Sequence, residues 1–223
     1  MSAPNQTKGP APDAHGPAAS LHQAKQALRA ALRQQRAAQT RTSAQAQLDA
    51  VQLADRVCSV PGFPLAGTVA IFAPLPDEID PGLLGQRVRA AGGRLCYPRV
   101  HQKSPPQLTF HLCSEPELTP GGFGVREPAS ELPQPAHIDA FIIPGLGFDR
   151  RGGRLGYGRG FYDAALRKQP AALRIAVGYD FQLQAAIPTG EQDEAVDFVV
   201  TPSERCTTAA RLLPAPPNKE DSP

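Results

Sequence analysis

Apolar positions recur at helical spacing from Leu21 to about Gln39. Leu21, Ala24, Leu28, Ala31 and Leu32 form a narrow stripe in an Ala-, Leu-, Gln- and Arg-rich run of high helix propensity. Lys25, Arg29, Arg33 and Arg36 form a second, basic stripe, which on pattern alone is a solvated helix face. A second helix is predicted from Ser43 as N-cap to near Val60, carried by Leu48, Val51, Ala54, Val57 and Cys58 and stopped by Pro61-Gly62. Short apolar or alternating runs then predict strands at Thr68–Ala73, Arg94–Tyr97, Gln107–Leu112, Ile138–Ile143, Arg174–Tyr179 and Ala195–Val200. Between them, Asp80 as N-cap and Pro81 at the first helical position open a helix that ends at Gly92-Gly93, and Phe161–Lys168 forms another, stopped by Pro170. Pro98-Arg99 reads as a break. Residues 114–135 are loop-rich, with Phe123–Glu127 as a candidate short strand.

Strands alternating with helices argue for an α/β layered fold with a largely parallel central sheet. We expect one domain over residues 21–213, a disordered tail at 1–20 and a Pro-rich tail at 214–223. In such folds ligands collect beyond the carboxyl ends of the strands. Segments 74–80, 144–163 and 180–194 each follow a strand, so they are expected to share one rim.

The composition mostly excludes. A net charge of +2 over 223 residues is too mild to imply nucleic-acid binding by itself. Proline, at 25 residues, is about twice its usual share, and many of these sit at the chain ends. The four cysteines, Cys58, Cys96, Cys113 and Cys206, form no CxxC or Cys/His set and read as free thiols in a reducing compartment. The first 20 residues lack the apolar core of a signal peptide, and no apolar run is long enough for a membrane span. A soluble, cytoplasmic protein is expected. The histidines show no metal spacing, and no Ser/His/Asp or Cys/His motif is found.

One stretch stands out. Between Gly145 and Gly160 lie seven glycines, with Arg150, Arg151, Arg154 and Arg159 among them. Glycine loses the most backbone entropy on folding, so a dense run implies positive φ angles or close approach to a ligand. Leading from a strand into a helix, it suggests an anion site of backbone N–H groups and guanidinium groups. The alternative is a tight loop whose arginines face water. It is neither a GxxxxGK[ST] phosphate loop nor a GxGxxG fingerprint. Asp163, in the first turn of the following helix, is either a carboxylate favoured by the helix end or a Mg²⁺ ligand. Asp193 is a second candidate ligand or a solvated loop acid, and Glu78 reads as a surface acid.

The combination of Lys25–Arg29, FAPLPDEID at 72–80, Tyr97-Pro98-Arg99 and PGLGFDRRGGRLGYGRGFYD at 144–163 resembles the 5-formyltetrahydrofolate cyclo-ligase family. Gln182, Pro188, Asp193 and Val196-Asp197 follow in the family's order, so the resemblance spans about residues 21–203. It implies a three-layer, Rossmann-like α/β fold of the NagB/RpiA/CoA-transferase type. It also implies an ATP- and Mg²⁺-dependent conversion of 5-formyltetrahydrofolate to 5,10-methenyltetrahydrofolate. By this resemblance Lys25, Gln26, Ala27, Leu28 and Arg29 correspond to an ATP-binding segment. Arg154, Leu155, Gly156, Tyr157, Gly158, Arg159, Gly160, Phe161 and Tyr162 correspond to the ATP loop, whose part from Tyr157 to Phe161 also borders the folate. Ala73 and Glu78 fall at folate contacts, Asp163 and Asp193 at metal ligands, and Lys25, Arg154 and Arg159 are the expected catalytic cations. Phe161, Gln192 and Ala73 depart from residues common in the family. The substrate expected is a folate, with or without a polyglutamate chain, handled by a monomer that needs no nucleic acid or membrane. The other readings are a non-catalytic nucleotide- or folate-binding regulator on the same fold and an RNA-binding module.

Overall fold

The computed structural model describes residues 17–101 and 107–209. The expected C-terminal tail and most of the N-terminal one lie outside them. Two helices open the described chain, α1 (Pro17–Ala37) and α2 (Ser43–Cys58). There follow β1 (Thr68–Ala70), α3 (Gly82–Ala90), β2 (Arg94–His101), β3 (Gln107–Leu112), β4 (Thr119–Pro120), β5 (Arg126–Glu127) and β6 (Ala140–Ile143). The rest comprises β7 (Gly147–Asp149), β8 (Arg154–Leu155), α4 (Phe161–Arg167), β9 (Leu173–Val177), β10 (Leu183–Gln184), β11 (Phe198–Val200) and β12 (Arg205–Thr207).

Seven strands form the central sheet in the order β12-β11-β9-β6-β1-β2-β3. The interior pairs are parallel, and only the edge strands β3 and β12 run antiparallel to their neighbours. Side chains alternate across the sheet as a period of two requires. Ala140, Ile142, Ile175 and Val200 join Leu53 and Val57 of α2 and Leu84 and Val88 of α3 in one core. Phe141, Ile143, Ala176 and Val199 face the other way and pack with Leu166 of α4. Helices on both faces of a parallel sheet give the three-layer α/β arrangement. No helix among the described residues is long and apolar enough to cross a membrane.

Several local expectations are corrected. Helix α1 starts at Pro17, inside the expected tail. Thr42, not Ser43, caps α2: its backbone is extended and its hydroxyl accepts the Gln45 N–H at 3.2 Å. Asp80 does close the first turn of α3, accepting the Gly82 N–H at 2.8 Å, but Pro81 takes the cap position. Pro98-Arg99 is no break, because β2 runs on to His101 against β3. The Val100 N–H points to the Glu127 carboxylate rather than to β3, and alternation turns the Pro98 nitrogen the same way, where no ladder bond is lost. Phe123 sits in a 3₁₀ turn with φ 58° rather than in a strand.

The Gly/Arg stretch is more structured than expected. Strands β7 and β8 form a hairpin within it, and β10 pairs with β7 to make a small three-stranded sheet. Helix α1 docks on this unit, with Leu28 and Leu32 packed against Leu146, Leu155 and Ile187. The hairpin turn is held by Asp149, which is 2% exposed. Its carboxylate accepts the N–H groups of Arg151 (2.9 Å), Gly153 (2.8 Å) and Ile187 (2.7 Å). Asp149→Ala would leave these donors without an acceptor, and we expect a loss on the order of 3 kcal/mol, read as a lower urea midpoint. An unchanged midpoint would show that water replaces the carboxylate.

Candidate functional site

The segments leaving β1 and β6 and the second half of β2 meet the inner face of α1 around a cavity of about 1190 Å³. A single small-molecule site usually occupies roughly 300–1,000 Å³, so this space suits two ligands side by side. Its lining has two chemical characters. Ala73, Leu75, Pro98, Val100, Leu108 and Val125 supply an apolar wall from the central sheet and its neighbours. Lys25, Arg29, Arg33, Arg154, Arg159 and Arg167 supply cations from α1, the glycine loop and α4.

The cations are held in specific ways. Lys25 pairs with Asp193, whose carboxylate also accepts the Gly190 N–H at 2.6 Å. Arg154 donates to Asp163 at 2.9 Å, and Asp163 receives the Glu194 N–H at 3.2 Å as well. The Arg154 side chain is only 4% exposed, and its Nε is buried without an acceptor among the described residues. An orphaned charged donor of this kind is expensive unless a ligand completes it. Arg29 donates to the Gly156 carbonyl at 2.9 Å, and burial together with the nearby Arg33 pulls its guanidinium below the ordinary value. Gly158 and Gly160 take φ values of 101° and 68°, which other residues rarely adopt. The Gly158 backbone thereby passes close to Arg29.

A second group lies beside the apolar wall. Arg36, in the last turn of α1, is 6% exposed and donates to Asp77 at 2.7 Å and to the Tyr157 hydroxyl at 2.8 Å. The Tyr157 hydroxyl in turn donates to Glu78 Oε1, and Glu78 Oε2 accepts the Leu75 N–H at 3.0 Å. Burial raises the Glu78 carboxyl above the usual carboxylate range, opposed by the Leu75 N–H, the Tyr157 hydroxyl and Arg36. Burial, and next the Glu78 charge, push the Tyr157 hydroxyl upward too.

Of the residues singled out in the sequence, Lys25, Arg29, Ala73, Glu78, the whole of 154–163 and Asp193 line this cavity. Gln26, Ala27 and Leu28 do not: Gln26 bonds His22 on the exposed side of α1, and Leu28 packs inward. The basic stripe is not a solvated face, since Arg36 is buried and Lys25 and Arg29 turn to the loop. Glu78 is not a surface acid. Arg150 pairs with Glu204 on the surface, away from the cavity. Pro98 and Val100 escape the sequence reading because a break at Pro98 ends the strand that presents them, and Leu108 because a predicted strand does not show which cavity its wet face lines. Arg36 escapes it too, and its place in the basic stripe was the available signal.

The donor set suits ATP and Mg²⁺. Cations and left-handed glycines are what a polyphosphate needs, and the unpartnered Arg154 Nε fits an added anion. Among the described residues no three His, Cys, Asp or Glu side chains converge. Two separate carboxylates match Mg²⁺, which takes one or two from the protein and the rest of its shell from phosphate and water.

Comparison with known proteins identifies the family. Residues 21–202 match the profile of the 5-formyltetrahydrofolate cyclo-ligase family. The 5-formyltetrahydrofolate cyclo-ligase of Escherichia coli (strain K12) is 34% identical over 160 residues, covering 69% of this chain and 87% of that protein. The Mus musculus protein of the same name is 28% identical over 201 residues, covering 82% of this chain and 96% of its own. Among solved structures, Aquifex aeolicus 5,10-methenyltetrahydrofolate synthetase superposes with a TM-score of 0.69 at 26% identity, covering 89% and 99% of the two chains. The 5,10-methenyltetrahydrofolate synthetase of Mycoplasma pneumoniae gives 0.62 at 22% identity over 80% and 98%, a likeness of fold.

Proposed function

The chain belongs to the 5-formyltetrahydrofolate cyclo-ligase family, and from that premise we propose that the cavity described above brings ATP and 5-formyltetrahydrofolate together. The reaction is the ATP-dependent conversion of 5-formyltetrahydrofolate to 5,10-methenyltetrahydrofolate. The observation that carries the assignment of sites is the union, in one space, of an apolar wall with a cationic glycine loop in which the buried Arg154 Nε has no acceptor among the described residues.

A formamide oxygen is a poor leaving group, so direct attack by N10 would have to expel hydroxide. Transfer of the γ-phosphoryl group to the formyl oxygen releases ADP and makes phosphate the leaving group. N10 then bonds to the formyl carbon and loses its proton, and the departing phosphate takes the C–O bonding pair, leaving the methenyl cation. Such chemistry asks mainly for positioning and charge neutralisation. Lys25, Arg29, Arg154 and Arg159 hold the phosphates in this reading, and Ala73, Glu78 and the apolar wall hold the folate. Asp163 and Asp193 would hold Mg²⁺, which supplies charge neutralisation on the phosphate oxygens when bound. No protein nucleophile is required. Burial pushes the Cys96 thiol up to about 12 and the Cys113 thiol to about 11, so neither is a thiolate near neutral pH. The same reading has the protein act as a cytoplasmic monomer, on folates with or without a polyglutamate chain.

Incubation with 5-formyltetrahydrofolate, ATP and Mg²⁺ is expected to build up the methenyl absorbance, and omission of ATP to abolish it. A folate-bound protein that forms no ATP-dependent product would instead be the non-catalytic regulator.

A further inference from the structure

We infer that Arg36 is a positioning residue for the folate side of the site, acting through Tyr157 and Glu78. The inference rests on the cyclo-ligase reading for its substrate but on the structure for its geometry. Arg36 has no place in the cavity lining; it reaches the cavity through two residues that do line it. With Glu78 ionised, the hydrogen bonds among the three have a single possible direction. A guanidinium only donates, so the Tyr157 oxygen must accept from Arg36. The one phenolic proton is then directed at Glu78 Oε1, which must accept. The second Glu78 oxygen is taken by the Leu75 N–H at 3.0 Å. The carboxylate is thus fixed at both oxygens beside the apolar wall.

Electrostatics point the same way. Glu78 is buried enough that its charged form is disfavoured, and Asp77 next to it adds repulsion. The Arg36 guanidinium, 3.7 Å from Glu78, is the cation that offsets both. Asp77 is 48% exposed and balances the guanidinium from the solvent side. Without Arg36 the Tyr157 hydroxyl keeps only its bond to Glu78, and Glu78 loses its only close cation among the described residues. A folate N–H group that needs an ionised, oriented acceptor would then meet a mobile, more readily protonated one.

The phosphate-binding cations belong to a different set of contacts. Lys25, Arg29 and Arg154 bond to Asp193, the Gly156 carbonyl and Asp163, and none of these bonds passes through Arg36. A defect at Arg36 should therefore separate the two substrates kinetically.

The test compares Arg36→Met, Arg36→Lys, Tyr157→Phe and Asp77→Asn with the wild-type protein, measuring KM for each substrate. We expect Arg36→Met and Tyr157→Phe to raise the folate KM about tenfold, the worth of one charge-assisted hydrogen bond, with the ATP KM within about twofold. Arg36→Lys should recover part of the loss, because it restores the charge without the fork. Asp77→Asn, which weakens the clamp but spares the relay, should leave the folate KM within about twofold. Equal rises in both KM values, or a loss in Asp77→Asn as large as in Arg36→Met, would reduce Arg36 to a structural clamp and overturn the inference. If Arg36→Met fails to fold, an unchanged folate KM in Tyr157→Phe overturns it alone. A wild-type protein without turnover would sink the enzymatic reading instead. Folate affinity measured by calorimetry on the same variants would then still decide the role of Arg36.

Discussion

Asp163→Asn is expected to lower kcat by about 10²–10³, the usual scale for removing one charge-stabilising group from a phosphoryl-transfer site. Two effects add at this position. The proposed Mg²⁺ site loses one of its two carboxylates, so the Mg²⁺ concentration needed for half-maximal rate should rise. The Arg154 guanidinium, 4% exposed and paired to Asp163 at 2.9 Å, also loses its only carboxylate partner among the described residues. Leaving a buried cation uncompensated costs on the order of 3 kcal/mol, so the melting temperature should fall as well. Stability and kcat are to be measured on the same sample, with a Mg²⁺ titration. A variant that keeps its kcat to within about threefold would show that Asp163 only neutralises Arg154.

Lys25→Met should act on the nucleotide alone. Lys25 reaches Asp193 from α1, and both line the cavity beside the glycine loop. This pair neutralises Asp193, while the Gly190 N–H at 2.6 Å holds its orientation. In the proposed reading Lys25 would hold the phosphates and Asp193 would be one of the two carboxylates that hold Mg²⁺. Loss of the Lys25 cation is expected to raise the ATP KM by about 30- to 100-fold, the effect of one desolvated ionic contact of about 2–3 kcal/mol. The folate KM should hardly move, which sets this variant apart from Arg36→Met. Both partners are partly exposed, so the stability change should be small. A rise in the folate KM of the same size would place Lys25 wrongly.

These two effects show why single residues were legible and their pairings were not. Asp163 stands out as an acid just after the glycine loop and Asp193 as one in the loop that follows a later strand. Nothing in their local sequence says that each is held by a cation, one of them 168 residues away. The reading of Arg36 failed for the same reason. A helical stripe identifies which side chains share a face, but not whether that face meets water or a carboxylate. Tyr97-Pro98-Arg99 failed differently. Proline by itself predicts a stop, whereas its cost depends on whether its nitrogen faces a neighbouring strand, and here β1 has already ended.

What the sequence determined by itself was local and periodic. Alternating apolar strands and helices required a layered α/β fold, because each element must bury its apolar face against another. The glycines of 145–160 marked a stretch that needs positive φ angles, which Gly152, Gly158 and Gly160 adopt, because that freedom belongs to the residue type. Tertiary structure decided the rest: the hairpin that stiffens the loop, the apolar wall from β2 and β3, and the meeting of Arg36, Tyr157 and Glu78. Those depend on which distant segments the sheet order brings to one edge. A charge or a methyl group has no functional meaning until that order sets its neighbour and its distance from water.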